Sequence, residues 1–186
     1  MSAHPLAVLL IENLRPGPGR RVLDFACGRG RNAAALRAAG FEVIAIDEVA
    51  AASERPFAGV AGRFAAAIST HGLLHGTPAA IGERVRGIAA LLEPGGTLYA
   101  TFGSVRDARH EQGERLGEFT YAPVDGEERG VPHTFFDRER LRALLEERFT
   151  VDSLEEHGVD QVVGSWGHTA RPLSGAVHWF AIATVG

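Results

Sequence analysis

Apolar and polar positions change period abruptly along this chain, and each change marks the edge of an element. Residues 21–26 are a short, mostly apolar run that starts after the turn-forming RPGPG, which predicts a buried strand. Residues 30–39 are alanine-rich and favour helix, with Gly40 placed to cap it. FEVIAI (41–46) is β-branched and ends at Asp47, which predicts a second strand. Residues 48–62 begin as helix but are broken by Pro56 and several glycines. RFAAAIST (63–70) predicts a buried strand. In the next segment Thr77 and Pro78 suit a helix start, and Ile81, Val85, Ile88, Leu91 and Leu92 share one helical stripe. Pro94-Gly95-Gly96 should stop that helix and lead into the strand TLYATFG (97–103).

Residues 104–132 are polar, glycine-containing and without clear period. A stretch of that length reads as a lid loop over a site. Asp137 should cap a helix that turns Leu141, Leu144 and Leu145 inward, and 149–156 and 175–185 read as strands around a polar loop, 157–174. Strands alternating with helices predict an α/β fold of doubly wound, Rossmann-like type, with a mostly parallel sheet covered on both faces. The last two strands have no helix between them and should pair antiparallel. The whole chain, 1–186, reads as one domain with a lid.

Composition narrows the chemistry. The chain holds 186 residues, enough for a substantial core. The MSAHPLAVLL start lacks the basic lead and cleavage site of a signal peptide and reads as an amphipathic helix, and no apolar run reaches membrane-spanning length, so a cytoplasmic protein is expected. The single cysteine, Cys27, excludes an intrachain disulfide. There is no lysine among 19 basic residues, which excludes Schiff-base chemistry and a phosphate-loop lysine. A net charge of -4 argues against nucleic acid as a partner. A small molecule is the expected substrate, with no membrane partner; the oligomeric state is left open.

Gly28-Arg29-Gly30-Arg31-Asn32-Ala33 formally matches G-x-G-x-x-A, and Asp47 follows at ribose-binding distance. A nicotinamide site would look similar, so an oxidoreductase stays open at this point. Asp24 favours another ligand. It stands at the end of the first strand, where a carboxylate repels a pyrophosphate and suits a cation. S-adenosylmethionine carries a sulfonium and an ammonium, plus a ribose for Asp47. Asp24 could instead merely cap the turn, and Cys27 reads as a small packing residue rather than a nucleophile.

Asp24-Phe25-Ala26-Cys27-Gly28-Arg29-Gly30 resembles the first motif of class I S-adenosylmethionine-dependent methyltransferases, and LLEPGGTLYATF is similar to their helix-to-fifth-strand junction. STHGLLHG, FGSVRDAR and GVPHTFFD resemble a small single-domain bacterial branch related to tellurite-resistance and thiopurine-type enzymes. The resemblance implies S-adenosylmethionine as cofactor. It implies that Asp24, Ala26 and Gly28 line the methionine part, and that Cys27, Gly30 and Asn32 also belong to the cofactor site. Asp47 would take the ribose, and Ser69, Thr70 and His71 would lie beside the sulfonium. The chain departs from the family between Asp47 and Arg63, where a helix, a third strand and an adenine-contacting acid are expected, and Ala65 stands where an aspartate often follows the phenylalanine of the fourth strand. The third strand is therefore expected to be missing or vestigial. A non-catalytic, degenerate relative is the alternative this raises.

Methyl transfer to oxygen or nitrogen calls for a base. His71 and His133 are the candidates, with His110-Glu111 a weaker pair. A thiol or other soft nucleophile would need little help. His71 and His75 could share a metal only on a continuous helix, which Gly72 opposes, so no metal site is assigned. Arg106, Arg109 and Arg115 could meet an anionic substrate, Trp166 and His168 could close the pocket, and Trp179 reads as core.

Overall fold

The computed structural model describes residues 2–47, 51–166 and 174–186. Strand β1 (Arg21–Phe25) lies parallel between β2 (Glu42–Ile46) and β3 (Phe64–Ser69), and β3 lies parallel to β4 (Leu92–Ser104). All six residues of β3 are buried, as expected for a strand covered on both faces. Beyond β4, β9 (Val177–Val185) pairs antiparallel with β4 and with β8 (Phe149–Gly158). The parallel core and antiparallel final pair match the fold expected from the pattern.

Successive side chains of β1 alternate between two cores. Val22 enters one built by α1 (Pro5–Leu14) and α2 (Arg31–Ala38), with Leu6, Leu10, Leu36 and Ile68. Leu23 and Phe25 enter the other, built by α3 (Pro78–Leu91) and α4 (Arg138–Glu146), with Ile81, Val85, Leu141 and Leu145. Both caps read from sequence are present: Thr77 Oγ1 accepts from the Ala80 N–H at 3.3 Å, and Asp137 Oδ1 from Arg140 at 2.8 Å. Trp179 is core, its indole N–H donating to the Phe136 carbonyl at 2.8 Å.

Two expectations need correction. The helix α3 runs straight into β4 at Leu92, before Pro94, because the strand starts by pairing with Phe64 across a register shift. The segment 104–132 is not a structureless loop. It contains β5 (Glu114–Gly117) and β6 (Thr120–Ala122), a hairpin whose second strand pairs with β7 (His133–Phe136). β7 in turn continues parallel along Gly103 and Ser104 of β4, so this segment hangs from the main sheet. Its short, exposed strands alternate too weakly to be read from pattern.

Among the described residues β2 is the sheet edge, and 51–63 contains no strand. Phe57 fills part of the space instead. Its ring stacks on Phe25 at 5.3 Å, 29° from parallel, and lies in the notch left by Gly87 on α3. A Cβ at Gly87 would overlap the Phe57 ring. Gly87→Ala is therefore expected to lower the unfolding free energy by about 1–3 kcal/mol through overpacking. Replacing Phe57 with leucine in the same protein should recover part of the loss. Chemical denaturation of the four proteins in that cycle is the check; additive losses would contradict the contact.

Candidate active site

The carboxyl ends of β1, β3 and β4 meet in a crevice whose floor is made of tight turns. Ala26, Gly28 and Gly30 all have left-handed backbones, with φ of 57°, 51° and 74°. This coiled turn runs from β1 into α2; the Cys27 N–H is held by the Ile46 carbonyl at 2.9 Å and the Gly30 N–H by the Cys27 carbonyl at 2.8 Å. Opposite, the turn after β3 presses Gly72 against Ala26 and Ser69, so closely that any Cβ there would overlap Ala26. His71 itself is left-handed, φ 70°, a conformation that costs energy in non-glycine residues and clusters at functional sites.

The structure brings most of the sequence-predicted residues together here. Asp24 is 1% exposed and points toward α2. Burial raises its carboxyl pKa to about 7. The Ala33 N–H and the charges of Arg37 and Arg31 partly offset this, yet neither oxygen attains a hydrogen bond of normal geometry. Asn32 is buried, taking the His4 N–H on Oδ1 at 2.9 Å and donating to Thr70 Oγ1 at 2.9 Å. Ser69 is buried at the end of β3. Cys27 is unbridged and half-buried. Asp47 stands exposed just past β2, on the neighbouring strand end. His133 is not in this group. It sits at the start of β7, edge-on to His75 at 4.7 Å and bonded to Glu128.

Several site residues carried no signal in the pattern. His4, the N-cap of α1, is fully buried against the crevice, 5.9 Å from the His71 ring. His178, on β9, is 5.3 Å from His71 on another side. Trp166 meets His71 edge-on at 5.9 Å; His168, of the same WGHTAR stretch, lies outside the described residues. Thr101 Oγ1 accepts the His71 N–H at 2.8 Å. Arg31 ties the assembly together, donating to the carbonyls of Gly164 at 2.7 Å and Trp166 at 3.1 Å.

Hydrogen-bond logic assigns the three rings. His71 Nε2 lies 2.7 Å from the Ser165 carbonyl. A carbonyl only accepts, so Nε2 carries the proton and Nδ1 is the basic nitrogen. His4 Nδ1 accepts from the Leu6 N–H, so Nε2 is its N–H. His178 Nε2 accepts from Arg109 Nη2 at 3.1 Å, so Nδ1 is its N–H. Burial, with neighbouring positive charge, lowers His4 to about 2 and His178 well below the ordinary value, so both rings stay neutral. Among the described residues, buried side-chain polar atoms without a partner belong to Asp24, Arg31, Ser69, His4 and His178, and otherwise only to His110. Native structures leave few such groups. Here they converge on one crevice.

The arginines expected to meet substrate are engaged elsewhere. Arg109 forms a fork with Asp107, and Arg106 pairs with Glu156. Arg115 is exposed and reaches the Gly117 carbonyl. His110 lies among Phe119, Tyr121 and Phe135. A surface groove bordered by Arg86, Glu147 and Phe149 sits at the opposite end of the sheet and gathers no comparable chemistry.

Residues 3–153 match a family model described as a methyltransferase domain. No curated protein matches the chain. Solved structures share its fold. A 1,6-didemethyltoxoflavin-N1-methyltransferase from Burkholderia thailandensis, solved with 1,6-didemethyltoxoflavin and S-adenosylhomocysteine, is 24% identical at a TM-score of 0.68, covering 97% of this chain and 76% of that one. An S-adenosylmethionine-dependent methyltransferase from Methanosarcina mazei is 17% identical at a TM-score of 0.72, covering 100% and 99%. Magnesium protoporphyrin IX methyltransferase from Synechocystis, solved with S-adenosylmethionine, is 15% identical at 0.60, covering 97% and 76%. With the family model spanning most of its length and its glycine turn set at the carboxyl ends of a parallel sheet, the chain belongs to the methyltransferase-domain family.

Proposed function

We propose that this protein transfers the methyl group of S-adenosylmethionine to a small-molecule nucleophile, and that it falls in the branch related to tellurite-resistance and thiopurine-type enzymes. The observation that carries the reading is the convergence of unpartnered buried polar atoms on the crevice of β1, β3 and β4. The branch rests on the sequence resemblance of the segments around His71, Gly103 and His133.

The donor set fits the cofactor. Asp24 offers an acceptor pair that an ammonium would satisfy. The backbone of Ala26, Cys27, Gly28 and Gly30 gives close approach to the methionine part, with Asn32 bracing the turn. Asp47 is placed for ribose hydroxyls. Bound there, S-adenosylmethionine would supply an electrophilic methyl on a sulfonium. The chain then has to align the acceptor and exclude water. Ser69, Thr70 and His71 line the β3 end. His71 is the base of this reading, because the Ser165 carbonyl fixes the proton on Nε2 and makes Nδ1 the lone-pair nitrogen. The His4 and His178 N–H groups can hold an oxygen or similar acceptor atom of the substrate. His133, engaged by Glu128, suits a role in seating the lid (104–132) rather than proton transfer. A small-molecule acceptor in the Burkholderia relative agrees with this scale of site.

Calorimetric titration with S-adenosylhomocysteine and with NADH tests the reading. Binding of the first and not the second is expected. NADH binding alone would overturn it, and homocysteine-product binding with no turnover across thiols, phenols and amines would favour the non-catalytic relative.

A further inference from the structure

A second cluster of ligating side chains stands apart from the His71 group, where the lid joins the rim of the core. His75 Nε2 lies 3.4 Å from Glu128 Oε1, and His133 Nε2 lies 3.1 Å from Glu128 Oε2. One ligand atom from each of the three falls within 4.8 Å of the others. His75 comes from the turn after β3, while Glu128 and His133, five residues apart, come from the loop before β7 and from β7 itself.

The main chain holds these positions rigidly. His75 and His133 face each other across an antiparallel bridge. The Gly76 N–H donates to the Pro132 carbonyl at 2.7 Å, and Thr134 Oγ1 donates to the Gly76 carbonyl at 2.7 Å. Glu128 is set by the turn in which the Val131 N–H reaches its carbonyl at 3.0 Å.

The tautomer of His133 points to what belongs between them. Its Nδ1 lies 2.8 Å from the Val131 carbonyl and must therefore carry a proton. In the neutral ring, Nε2 then turns a lone pair on a carboxylate oxygen. A second proton on Nε2 would answer this as an ion pair; a metal cation shared with His75 would answer it for both imidazoles at once. An Nδ1–H held by a backbone carbonyl is also how metal-ligating histidines are aimed. Each imidazole lies 3.1–3.4 Å from one oxygen of Glu128, near the ~3.3 Å between ligand atoms of tetrahedral zinc, and the full set of three lies within 4.8 Å. The His75 and Glu128 side chains are partly exposed, at 28% and 37%, while His133 is 5% exposed. That leaves an outer face for water as a further ligand. Two imidazoles and one carboxylate suit zinc among the available divalent ions.

We propose that His75, Glu128 and His133 form a divalent transition-metal site, fitted to zinc, that fastens the lid to the rim of the sheet. The site is independent of the methyl-transfer reading and is measured without cofactor.

Chelator-treated full-length protein is titrated with zinc against a competing chromophoric chelator, and its thermal unfolding is followed with and without zinc. One equivalent per chain and a rise in Tm are expected, and cobalt(II) should give the intense visible absorption of a tetrahedral site. Glu128→Gln and His75→Asn, both on partly exposed side chains, should fold and should weaken zinc binding by roughly 100-fold, the upper range even for supporting residues. Their Tm should no longer respond to zinc. A folded wild-type protein that binds no zinc would overturn the proposal. So would undiminished binding in both variants, which would move the ion to another histidine.

Discussion

Asp24→Asn should make the protein more stable at neutral pH and worse at holding its cofactor. The two effects share one cause. In the folded chain the carboxyl pKa is raised from 3.8 to about 7, chiefly by burial. Between those values the native state binds more protons than the unfolded chain, so this group's contribution to stability falls as pH rises. Below pH 4 the acid is neutral in both states and the penalty vanishes; above 7 it is complete. A shift of that size corresponds to at most about 4 kcal/mol. Buried His4 and His178 act oppositely, costing stability as pH falls below 6.5. The informative quantity is therefore the difference between variant and wild type. It should be near zero at pH 4, grow through pH 6, and level above 7. S-Adenosylhomocysteine affinity should fall by roughly 100-fold in the variant at pH 8, since truncating a buried charge partner costs ~2–5 kcal/mol. Wild-type affinity should also rise with pH through 7 as Asp24 ionises. Guanidinium melts across pH, paired with calorimetry, give both readings. A variant less stable than wild type at pH 8 would show that Asp24 is already satisfied in the free protein.

Asp107→Ala should cause the heaviest loss of stability. The Asp107 side chain is fully buried and every lone pair direction is used. Oδ1 accepts from the Arg109 backbone N–H at 2.8 Å and from Nε at 2.9 Å; Oδ2 accepts from Arg109 Nη2 at 3.0 Å and from the Val177 N–H at 2.8 Å. One carboxylate thus joins the segment after β4 to the start of β9. Its removal leaves a largely buried guanidinium without a counter-charge and two backbone donors, of Arg109 and Val177, without that acceptor. Losing one partner of a buried pair costs about 3–5 kcal/mol. For a chain of this size that lowers Tm by on the order of 10 °C. Because Arg109 also fixes the His178 tautomer, turnover should fall further than the folded fraction does. Calorimetric scanning beside single-turnover assays would separate the two. A change below 1 kcal/mol would mean that water replaces the carboxylate at little cost.

The parts of the fold that could be read in advance are those whose signal is local. The apolar run of 21–26, the β-branched run of 41–46, the Thr77 and Asp137 caps, and the glycine turn of 26–30 each depend on neighbours within one or two turns of chain. That 51–63 holds no strand was legible for a simple reason: the stretch between Asp47 and Arg63 is too short for the usual helix and strand together. Residues 48–50 of that stretch lie outside the described residues. The β5–β6 hairpin was not legible, since its exposed residues obey no burial pattern. The same limit hid part of the site. His4 resembles any surface N-cap in sequence, and His178 resembles any inward residue of a strand; only packing turns both rings on His71.

By itself the amino-acid sequence determined the β-α-β unit, the carboxylates at the ends of its two strands, and the chemistry ruled out by having no lysine and one cysteine. Those follow from periodicity and residue type, which act over short spans. Tertiary structure alone decided which polar groups lose water together. Asp24 is costly to ionise because α2 covers it, and the His4 and His178 tautomers are set by partners far along the chain. His75, Glu128 and His133 converge because the lid strand β7 docks beside β4. Burial and hydrogen-bond geometry are properties of the assembled sheet, so pKa and ligand sets appear only once its strands have found their neighbours.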